Sequence, residues 1–503
     1  MNATLTRRAL LARSIRMAGA AALAGPLFAP VRALAAGSDA GDPYWRLDAT
    51  AQAALVRDGQ VSPLELVDAA IARIERIDGR INSVVTPLFE QARDRARDSL
   101  PDGPLRGVPW LVKDLDDLAG APTSSGSRFA SERAKRRSSP YVERALAGGV
   151  VPLGKSNTPE YGLIGTTESI RLGICRNPWD TDYTPGGSSG GAAAAVAAGL
   201  VPVAHATDGG GSIRIPASCC GLFGLKPSRG RLGPRETGPG ADIGVQHCVS
   251  RSVRDSAAMF AIAEYRGDDA ALPAVGLVRG PSQRRLRIAF STRSYTGAAP
   301  HPDVEAATQR AAALCAELGH EVVEAAPTVN GAAFQEAFVT VWSGGAHGLV
   351  EAARESSLRP EDVFEPWTLG LAEHYEHGPR DAMARAIEYF EGAERIYDAF
   401  LERYDVVLTP VLAAPPVPIG AQAPTLPYDT LYERVFDWVA YTPIHNAVGT
   451  AAMSVPLGWS AQGLPIGIQF AAARGAERTL FELAYELEAA APWADRWPTI
   501  ATT

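Results

Sequence analysis

Two serine-bearing glycine turns, separated by one helix-and-strand unit, constrain the fold of this 503-residue chain more than any other feature. Residues 184–191 have the sequence TPGGSSGG, and residues 207–216 have the sequence TDGGGSIRIP. The segment between them is an alanine-rich run of high helix propensity that stops at Gly199, followed by an apolar extended run. A helix of this length rises about 15 Å, and a strand of five or six residues at about 3.3 Å each returns a similar distance. We therefore expect Ser212 to lie near Ser188.

The chemistry of these turns is typical of a serine nucleophile. Their glycines leave backbone N–H groups free to point at a bound oxygen, and the N-terminus of the alanine-rich helix adds a positive dipole end. No histidine lies in either turn, so the base is sought elsewhere. Lys113 ends the apolar run 108–112 and is followed by acidic residues at 114, 116 and 117. A lysine in such a place is usually a solvated ion-pair partner, but serine–lysine pairs are a known alternative to serine–histidine.

Two other motifs offer competing interpretations. Residues 187–191 match the nucleophile elbow of α/β-hydrolases, which would make Ser189 the nucleophile of an esterase with a later aspartate and histidine. His445 is the best placed later histidine, although this interpretation leaves the second glycine turn unexplained. Residues 149–156 match a phosphate-loop pattern, but the interior is apolar and contains Pro152, and no helix start follows it.

The residues around these motifs resemble the amidase signature family. The resemblance rests on VKD at 112–114, GGSSGG at 186–191, and DGGGSIRIP through CGLFGLKP at 208–227. Further matches at 154–157, 176–179 and 463–469 spread it over residues 44–498. Within the family, the chain looks most similar to 6-aminohexanoate-cyclic-dimer hydrolases.

The resemblance implies a fold, an activity and a set of site residues. The implied fold is α/β, with a central mixed sheet covered by helices on both faces, and the alternation of helical stretches with short apolar runs independently indicates an α/β domain. The implied activity is hydrolysis of an amide bond through an acyl-enzyme, without cofactor or metal. Ser212 would be the nucleophile, Ser188 a middle residue held by a cis peptide bond, and Lys113 the base. The other implied residues are the oxyanion-hole donors Gly209, Gly210 and Gly211 and the supporting residues Ser189 and Asp208.

The first 35 residues have the pattern of an export signal. Four arginines precede an apolar run at 17–30, and the small residues Ala33-Leu34-Ala35 form a cleavage site. The pair Arg7-Arg8 favours the twin-arginine route, with general secretion left open. We therefore predict a cleaved signal peptide at 1–35, a single amidase-signature domain at 43–500, and a periplasmic or secreted location. The polar segment 266–286 is interpreted as a linker.

Charge and composition restrict the partners. Removing the signal takes away five arginines and no carboxylate, so the formal charge changes from −8 to −13. Such acidity argues against a nucleic-acid partner, and the lack of any later run of 18 apolar residues argues against stable membrane insertion. The five cysteines are scattered without metal-ligand spacing, and of the histidines only His374 and His377 lie close together, a pair that we interpret as part of a solvated helix face. We expect a small-molecule amide as partner, with a homodimer left open.

Other functions stay open beside an exported amidase. A cyclic-dimer hydrolase is the enzymatic alternative, and a non-enzymatic solute-binding protein would explain export but not three catalytic matches. A transamidosome-type subunit is opposed by the signal and the acidity. Residues 333–442 hold the fewest family matches and are expected to cover the acyl pocket. The aromatic residues of this segment, which are more often core than pocket, are Trp342, Trp367, Tyr389, Trp438 and Tyr441.

Overall fold

Thirteen strands and fifteen α-helices occur in the part of the chain that the structure, a computed structural model, describes, residues 42–233 and 242–502. The predicted signal at 1–35 lies outside the described residues. The strands are β1 (Val84–Pro87), β2 (Pro109–Lys113), β3 (Val151–Ser156), β4 (Glu168–Ser169), β5 (Gly173–Ile174), β6 (Val203–Asp208), β7 (Phe223–Lys226), β8 (Val245–Ser250), β9 (Arg287–Phe290), β10 (Glu321–Glu324), β11 (Val406–Pro410), β12 (Ala451–Trp459) and β13 (Pro465–Ala472).

The helices lie between and after these strands, and short 3-10 turns occur at Asp78–Arg80, Glu160–Gly162 and Thr499–Thr502. The α-helices are α1 (Ala49–Arg57), α2 (Pro63–Ile77), α3 (Phe89–Arg97), α4 (Pro140–Ala147), α5 (Gly190–Ala197), α6 (Arg214–Cys220), α7 (Val253–Ala263), α8 (Pro302–Glu317), α9 (Gly331–Glu355), α10 (Pro360–Val363), α11 (Pro366–Glu376), α12 (Ala382–Leu401), α13 (Tyr428–Trp438), α14 (Pro443–Ala447) and α15 (Glu477–Ala490).

The central sheet has eight strands in the order β10-β9-β11-β13-β12-β7-β8-β6. The β10–β9 and β9–β11 pairs are parallel and the others are antiparallel, so the predicted mixed sheet is confirmed. A three-stranded sheet, β1-β3-β2, carries the strand that ends at Lys113. The third sheet is the β4–β5 hairpin.

Helices cover both faces of the central sheet, and the alternation of side chains along β13 shows why. Ile468 and Phe470 point into a core shared with α8 and α15. Gly467 and Gln469 point the other way, where Ser218 Oγ of α6 accepts a hydrogen bond from the Gly467 N–H at 2.8 Å. Because successive strand residues face opposite sides, an apolar run buried on both faces needs a helix layer on each.

Helix α5, the alanine-rich helix of the sequence, is buried on all sides. Each of its eight residues is buried, and Ala192 through Ala197 are fully inaccessible to solvent. A helix that is apolar all round must be enclosed, and only small side chains let neighbouring elements approach this closely. The predicted stop at Gly199 is confirmed, since Gly199 adopts a positive φ of 72° after the last helical turn.

Elements that the sequence pattern predicts differ from the structure mainly at their ends. The pattern Ser62-Pro-Leu-Glu65 predicts a capping box, and the structure contains it. The pattern of residues 44–57 predicts a helix from Tyr44, but α1 begins only at Ala49, because the Asp48 side chain caps it by accepting from the Ala51 N–H. The segment 266–286 has no helix or strand, but Val278 is buried in a core of the unit Tyr44–Thr503, so it is a packed loop within that unit.

The two serine turns meet at the end of β6. The first turn leads into α5 and the second leads from β6 into α6, so both flank the same helix-and-strand unit. The Thr207 N–H donates to Ser189 Oγ at 3.3 Å, which joins the turns directly. The Lys113 N–H donates to His205 Nδ1 at 3.2 Å, which places the end of β2 beside β6. Within the described ranges, no helix is long and apolar enough to cross a membrane.

Candidate active site

Lys113 is fully buried at the end of β2 and faces the first serine turn. Its Nζ donates to Ser188 Oγ at 2.7 Å and to Thr207 Oγ1 at 2.9 Å. Burial disfavours the charged amine and lowers the pKa of Lys113 to about 7, although the nearby carboxylates of Asp208 and Asp116 act in the opposite direction. Near neutral pH this side chain can therefore exchange a proton with a hydroxyl.

Ser188 lies in a turn that is closed from several sides. The Gly187–Ser188 peptide bond is cis, as the resemblance implied, and Ser188 is 2% exposed. A Cβ at Gly162 would stand 2.9 Å from Ser188 Oγ, and Gly162 has a positive φ of 71°. Only glycine at position 162 leaves room for the Ser188 hydroxyl in this backbone conformation.

Ser212 follows the three glycines of the second turn and opens onto a pocket. It is 6% exposed and lines that pocket together with Gly210 and Gly162. Gly162 also packs against Ser188, so this glycine connects the Ser188 turn with the pocket that Ser212 lines. The structure thus joins Lys113 to Ser188 by a hydrogen bond and places Ser212 on the adjoining pocket wall.

Asp208 shapes the second turn from behind. Its carboxylate accepts from the Gly211 N–H at 2.7 Å and the Ile213 N–H at 3.2 Å, and it forms an ion pair with Arg214 at 2.9 Å. Burial opposes ionisation of Asp208, but the Arg214 guanidinium prevails and holds the pKa of this carboxyl well below its usual range. The Asp208 carboxylate therefore stays charged near neutral pH and holds the loop in place.

The backbone donors of the second turn do not all face the pocket. Gly211 was expected in the oxyanion hole, but its N–H is taken by Asp208. The Gly210 and Ser212 N–H groups have no acceptor among the residues that the structure describes, and both residues line the pocket. Thr442 Oγ1 donates to the Gly210 carbonyl at 2.6 Å, which orients that peptide. Gly210 and Ser212, with Gly209 beside them, are therefore the donors best placed to meet an oxyanion.

Ser189 and His445 are not arranged as a nucleophile and its base. Ser189 is fully buried, and its Oγ lies 3.3 Å from both the N–H and the carbonyl oxygen of Thr207. His445 Nδ1 lies 3.0 Å from Thr450 Oγ1, and within the described part of the chain it makes no hydrogen bond to Ser189. The side chain of Ser189 thus supports the junction of the two turns, in keeping with the supporting role expected for it.

Arg214 is fully buried and ties the second turn to distant parts of the chain. Besides Asp208, its guanidinium donates to the Thr442 carbonyl at 3.0 Å, Gln469 Oε1 at 2.7 Å and Asn446 Oδ1 at 2.6 Å. These contacts give Arg214 a structural role. Asn446 in turn donates to Asp208.

Several residues of the site escaped the sequence analysis. Thr207, which opens the second turn and accepts from Lys113, carried a usable signal because it directly precedes Asp208 in that turn. Gln469 lies inside a quoted family match. Thr442 and Asn446 carried none, since they lie more than 200 residues from the turn they hold. The rejected phosphate loop is part of β3, where Lys155 forms a fully buried ion pair with Asp114 at 3.0 Å.

The segment 333–442, which was expected to cover the acyl pocket, contributes six of the fourteen residues that line the pocket beside Ser212. Trp342 and Trp367 line the pocket, whereas Trp438 packs behind Gly165, and the hydroxyls of Tyr389 and Tyr441 donate to backbone carbonyls elsewhere. The lining residues are Gly162, Leu163, Ile164, Gly165, Gly210, Ser212, Ile215, Phe338, Trp342, Trp367, Val435, Phe436, Val439 and Pro443.

One group of side chains elsewhere has the composition of a metal site. His347, Glu351 and Glu376 bring three ligand atoms within 4.8 Å of one another. The Arg354 guanidinium lies 2.6 Å from Glu351 and 2.7 Å from Glu376, so both carboxylates already share one cationic partner. The two histidines singled out in the sequence, His374 and His377, are exposed on α11 and just after it.

Comparison with known proteins settles the family. The family model described as Amidase matches residues 65–481. The chain belongs to the amidase signature family. AmiC of Mycobacterium tuberculosis is 41% identical over 453 residues, covering 89% of this chain and 95% of that protein. The 6-aminohexanoate-cyclic-dimer hydrolase of Pseudomonas sp. is 37% identical over 482 residues, covering 90% and 96%.

Solved structures of amidase signature enzymes share the fold. A structure of 6-aminohexanoate cyclic dimer hydrolase complexed with substrate is 34% identical, with a TM-score of 0.83 over 91% of this chain and 100% of that one. A bacterial aryl acylamidase of the family is 27% identical, with a TM-score of 0.80 over 90% and 98%. The predicted fold, family and enzyme class are therefore confirmed: this amidase hydrolyses an amide bond of a small-molecule substrate.

Proposed function

We propose that this amidase works through an acyl-enzyme on Ser212, with Ser188 as proton relay and Lys113 as base. The observation that carries the proposal is the 2.7 Å contact between Lys113 Nζ and Ser188 Oγ, made by a fully buried lysine whose pKa is lowered to about 7. A lysine that is neutral near pH 7 has a lone pair to accept a proton, and a serine is activated only when such a base is in reach.

The proposed reaction moves one proton along the three side chains. Neutral Lys113 takes the proton of Ser188 as Ser188 takes the proton of Ser212, and Ser212 Oγ bonds to the amide carbonyl carbon. The carbonyl oxygen then carries the negative charge. When the C–N bond breaks, the same relay returns a proton to the leaving nitrogen, and Lys113 is neutral again. Water adds to the acyl-enzyme by the same route and releases the acid.

In this proposal the negative oxygen is stabilised by backbone N–H donors of the second turn. The N–H groups of Gly210 and Ser212 are the principal candidates, with Gly209 as a third. Asp208 holds the turn rigid through Gly211 and Arg214. Donors fixed in advance need no reorganisation when charge develops, which is the largest electrostatic contribution in many acyl-transfer enzymes.

A covalent label tests the nucleophile. Mass spectrometry after treatment with a serine-directed phosphonate or a slow ester should show one adduct, on Ser212. Ser212→Ala should lose both the adduct and amide turnover, whereas the matched control Ser189→Ala should keep the adduct. An adduct on Ser189 would instead support the elbow interpretation, and no adduct on any serine would favour a solute-binding protein.

A cyclic amide is a second candidate for the substrate. The observation in its favour is the likeness to 6-aminohexanoate-cyclic-dimer hydrolase, at 37% identity in sequence and a TM-score of 0.83 in structure. The test is to offer the cyclic dimer and an open-chain amide of similar size at equal concentration and to follow the release of primary amine. Turnover of the open-chain amide alone would remove this candidate.

We also propose that the enzyme is exported to the periplasm or secreted. The proposal rests on Arg7-Arg8, the apolar run 17–30 and the small residues at 33–35. The twin-arginine route carries proteins that have already folded, which suits a large chain with its catalytic turns deep in the interior.

A further inference from the structure

The pocket beside Ser212 has no charged group on any wall. The side chains that enclose it come from α6, α9, α11, α14, the end of α13 with the residue after it, and the segment 162–165. Among the described residues that line it none is an acid, a lysine, an arginine or a histidine. Ser212 carries the one hydroxyl in this lining. The titratable groups of the serine turns and of β2, Lys113 and Asp208, are outside this lining, fully buried and hydrogen-bonded to other parts of the chain.

The polar atoms of the two tryptophans in the wall are already satisfied. Trp342 Nε1 donates to the Leu163 carbonyl at 3.0 Å, and Trp367 Nε1 donates to the same carbonyl at 2.9 Å. One carbonyl thus fixes both indoles, and neither N–H remains to bind a substrate. The two indole rings therefore present only apolar carbon atoms to the pocket.

The aromatic wall stands directly against the loop that carries the nucleophile. Phe338 and Trp342 stack with ring centroids 5.5 Å apart and an interplanar angle of 22°. A Cβ at Gly210 would lie 2.9 Å from the Phe338 ring, and a Cβ at Gly209 would lie 3.1 Å from the Trp342 ring. The glycines at these positions allow the rings to approach, so a carbonyl held at Ser212 places its substituent against them.

From this geometry we propose that the acyl part of the substrate is an uncharged, apolar chain or ring, and that a charged group on the acyl chain excludes a substrate. The proposal rests on the proposed function, since it assigns the acyl group to the pocket beside the nucleophile. A charge in this pocket would lose its water and find no partner of opposite sign. The attraction of a cation to aromatic faces offsets only part of that cost.

The proposal distinguishes between a cyclic and an open-chain 6-aminohexanoyl amide, both of which the family resemblance allows as substrates. A cyclic dimer of 6-aminohexanoate has only neutral amides and methylene groups and meets the requirement. An open-chain 6-aminohexanoyl amide carries an ammonium group at the end of the same methylene chain and does not. The enzyme should therefore discriminate by the charge at the far end of the acyl chain more than by ring closure.

A pair of amides tests this directly. Heptanamide and 6-aminohexanamide have the same length and differ by a terminal methyl against an ammonium group. We expect kcat/KM at pH 8.5 to be higher for heptanamide by about 100-fold or more, because the ammonium is desolvated without a partner. Values within about threefold of each other, or a preference for the amine, would overturn the proposal.

A matched pair of variants locates the effect in this pocket. Val439 lies at the end of α13, is 7% exposed and packs against Gly165. Val439→Asp places a carboxylate in the pocket wall and so supplies a partner for the substrate ammonium group. The ratio of kcat/KM for heptanamide to that for 6-aminohexanamide should therefore fall by about tenfold or more. Val439→Asn has nearly the same shape without charge and should leave the ratio within about threefold. Equal shifts in both variants would contradict the assignment of this pocket.

Activated esters keep this test independent of the amidase mechanism. The 4-nitrophenyl esters of heptanoic and 6-aminohexanoic acid carry the same acyl groups, and their leaving group needs no proton. If the enzyme formed an acyl-enzyme on Ser212 from the heptanoyl ester but hydrolysed neither amide, the proposed amide mechanism would be refuted. The ratio of kcat/KM for the two esters would still test whether the pocket excludes a charged acyl chain. Adduct formation on Ser212 by phosphonate reports whether each variant is folded.

Discussion

Lys113 is the residue on which the proposed chemistry depends, because its charge decides whether the relay can start. The side chain has no ion-pair partner within hydrogen-bond distance in the described structure; its Nζ contacts the hydroxyls of Ser188 and Thr207. Hydroxyls solvate an ammonium poorly compared with water, so burial prevails over the more distant carboxylates and lowers the pKa to about 7. A base of that pKa is about half neutral near pH 7.

The pH profile should show this titration. Since the neutral amine is the active form and its pKa is lowered, kcat/KM should fall about tenfold per pH unit below pH 7 and stay level on the alkaline side. The measurement is kcat/KM for one neutral amide between pH 5 and 9.5. A profile that is flat from pH 5 to 8 would contradict a lysine base with this pKa.

Substitution of Lys113 separates charge from shape. Lys113→Ala should lose about 10²–10⁴-fold or more in amide turnover, the range for a positioned general base, with a smaller loss on activated esters. Lys113→Arg should be no better than alanine, because a guanidinium stays charged at every accessible pH. Steady-state rates on an amide and on its 4-nitrophenyl ester check both statements. Near-normal amide turnover by Lys113→Ala would remove lysine from the mechanism.

At the scale of elements, the site is a junction of strand ends and helix starts. The end of β2 brings Lys113, the start of α5 brings Ser188, and the turn from β6 to α6 brings Ser212. The sequence could predict these elements because each has a strong local pattern: apolar runs, a glycine stop and an alanine run. It missed how the loop is held, because Arg214 reaches the Thr442 carbonyl, Asn446 and Gln469 through contacts with no sequence period.

Arg214 should matter for stability as well as for loop geometry. Arg214→Met keeps a chain of similar length but leaves the buried Asp208 carboxylate without its cation, which should cost about 3–5 kcal/mol in the free energy of unfolding. The matched control is Arg97→Ala, whose exposed ion pair with Asp94 should contribute only about 0.2–1 kcal/mol. Urea denaturation of the three proteins measures the difference. Equal losses in both variants would show that Arg214 is not the cation on which the loop depends.

At the scale of the whole molecule, the meeting of the two serine turns was predictable, whereas the individual aromatic residues that line the pocket were not. Ser188 and Ser212 are 24 residues apart and joined by one regular unit, so chain geometry alone places the turns together. Trp342 and Trp367 reach the pocket from α9 and α11, which lie over 100 residues further along. Nothing in their sequence context distinguishes them from Trp438, which packs in the core. Whether a tryptophan lines the pocket or packs in the core is decided by the long-range packing of the chain, which local sequence does not show.

The predicted export also concerns the whole molecule, and this prediction rests on residues outside the described structure. If residues 1–35 are an export signal, N-terminal sequencing of protein from the native organism should give a mature chain that begins near Ala36. That chain would carry a formal charge of −13, so it should bind an anion-exchange resin more tightly than the full-length form. Replacement of Arg7 and Arg8 by lysine tests the route, because the twin-arginine machinery needs the pair whereas general secretion needs only positive charge. Continued export of the lysine variant would point to general secretion, and full-length protein in the native cytosol would refute export by either route.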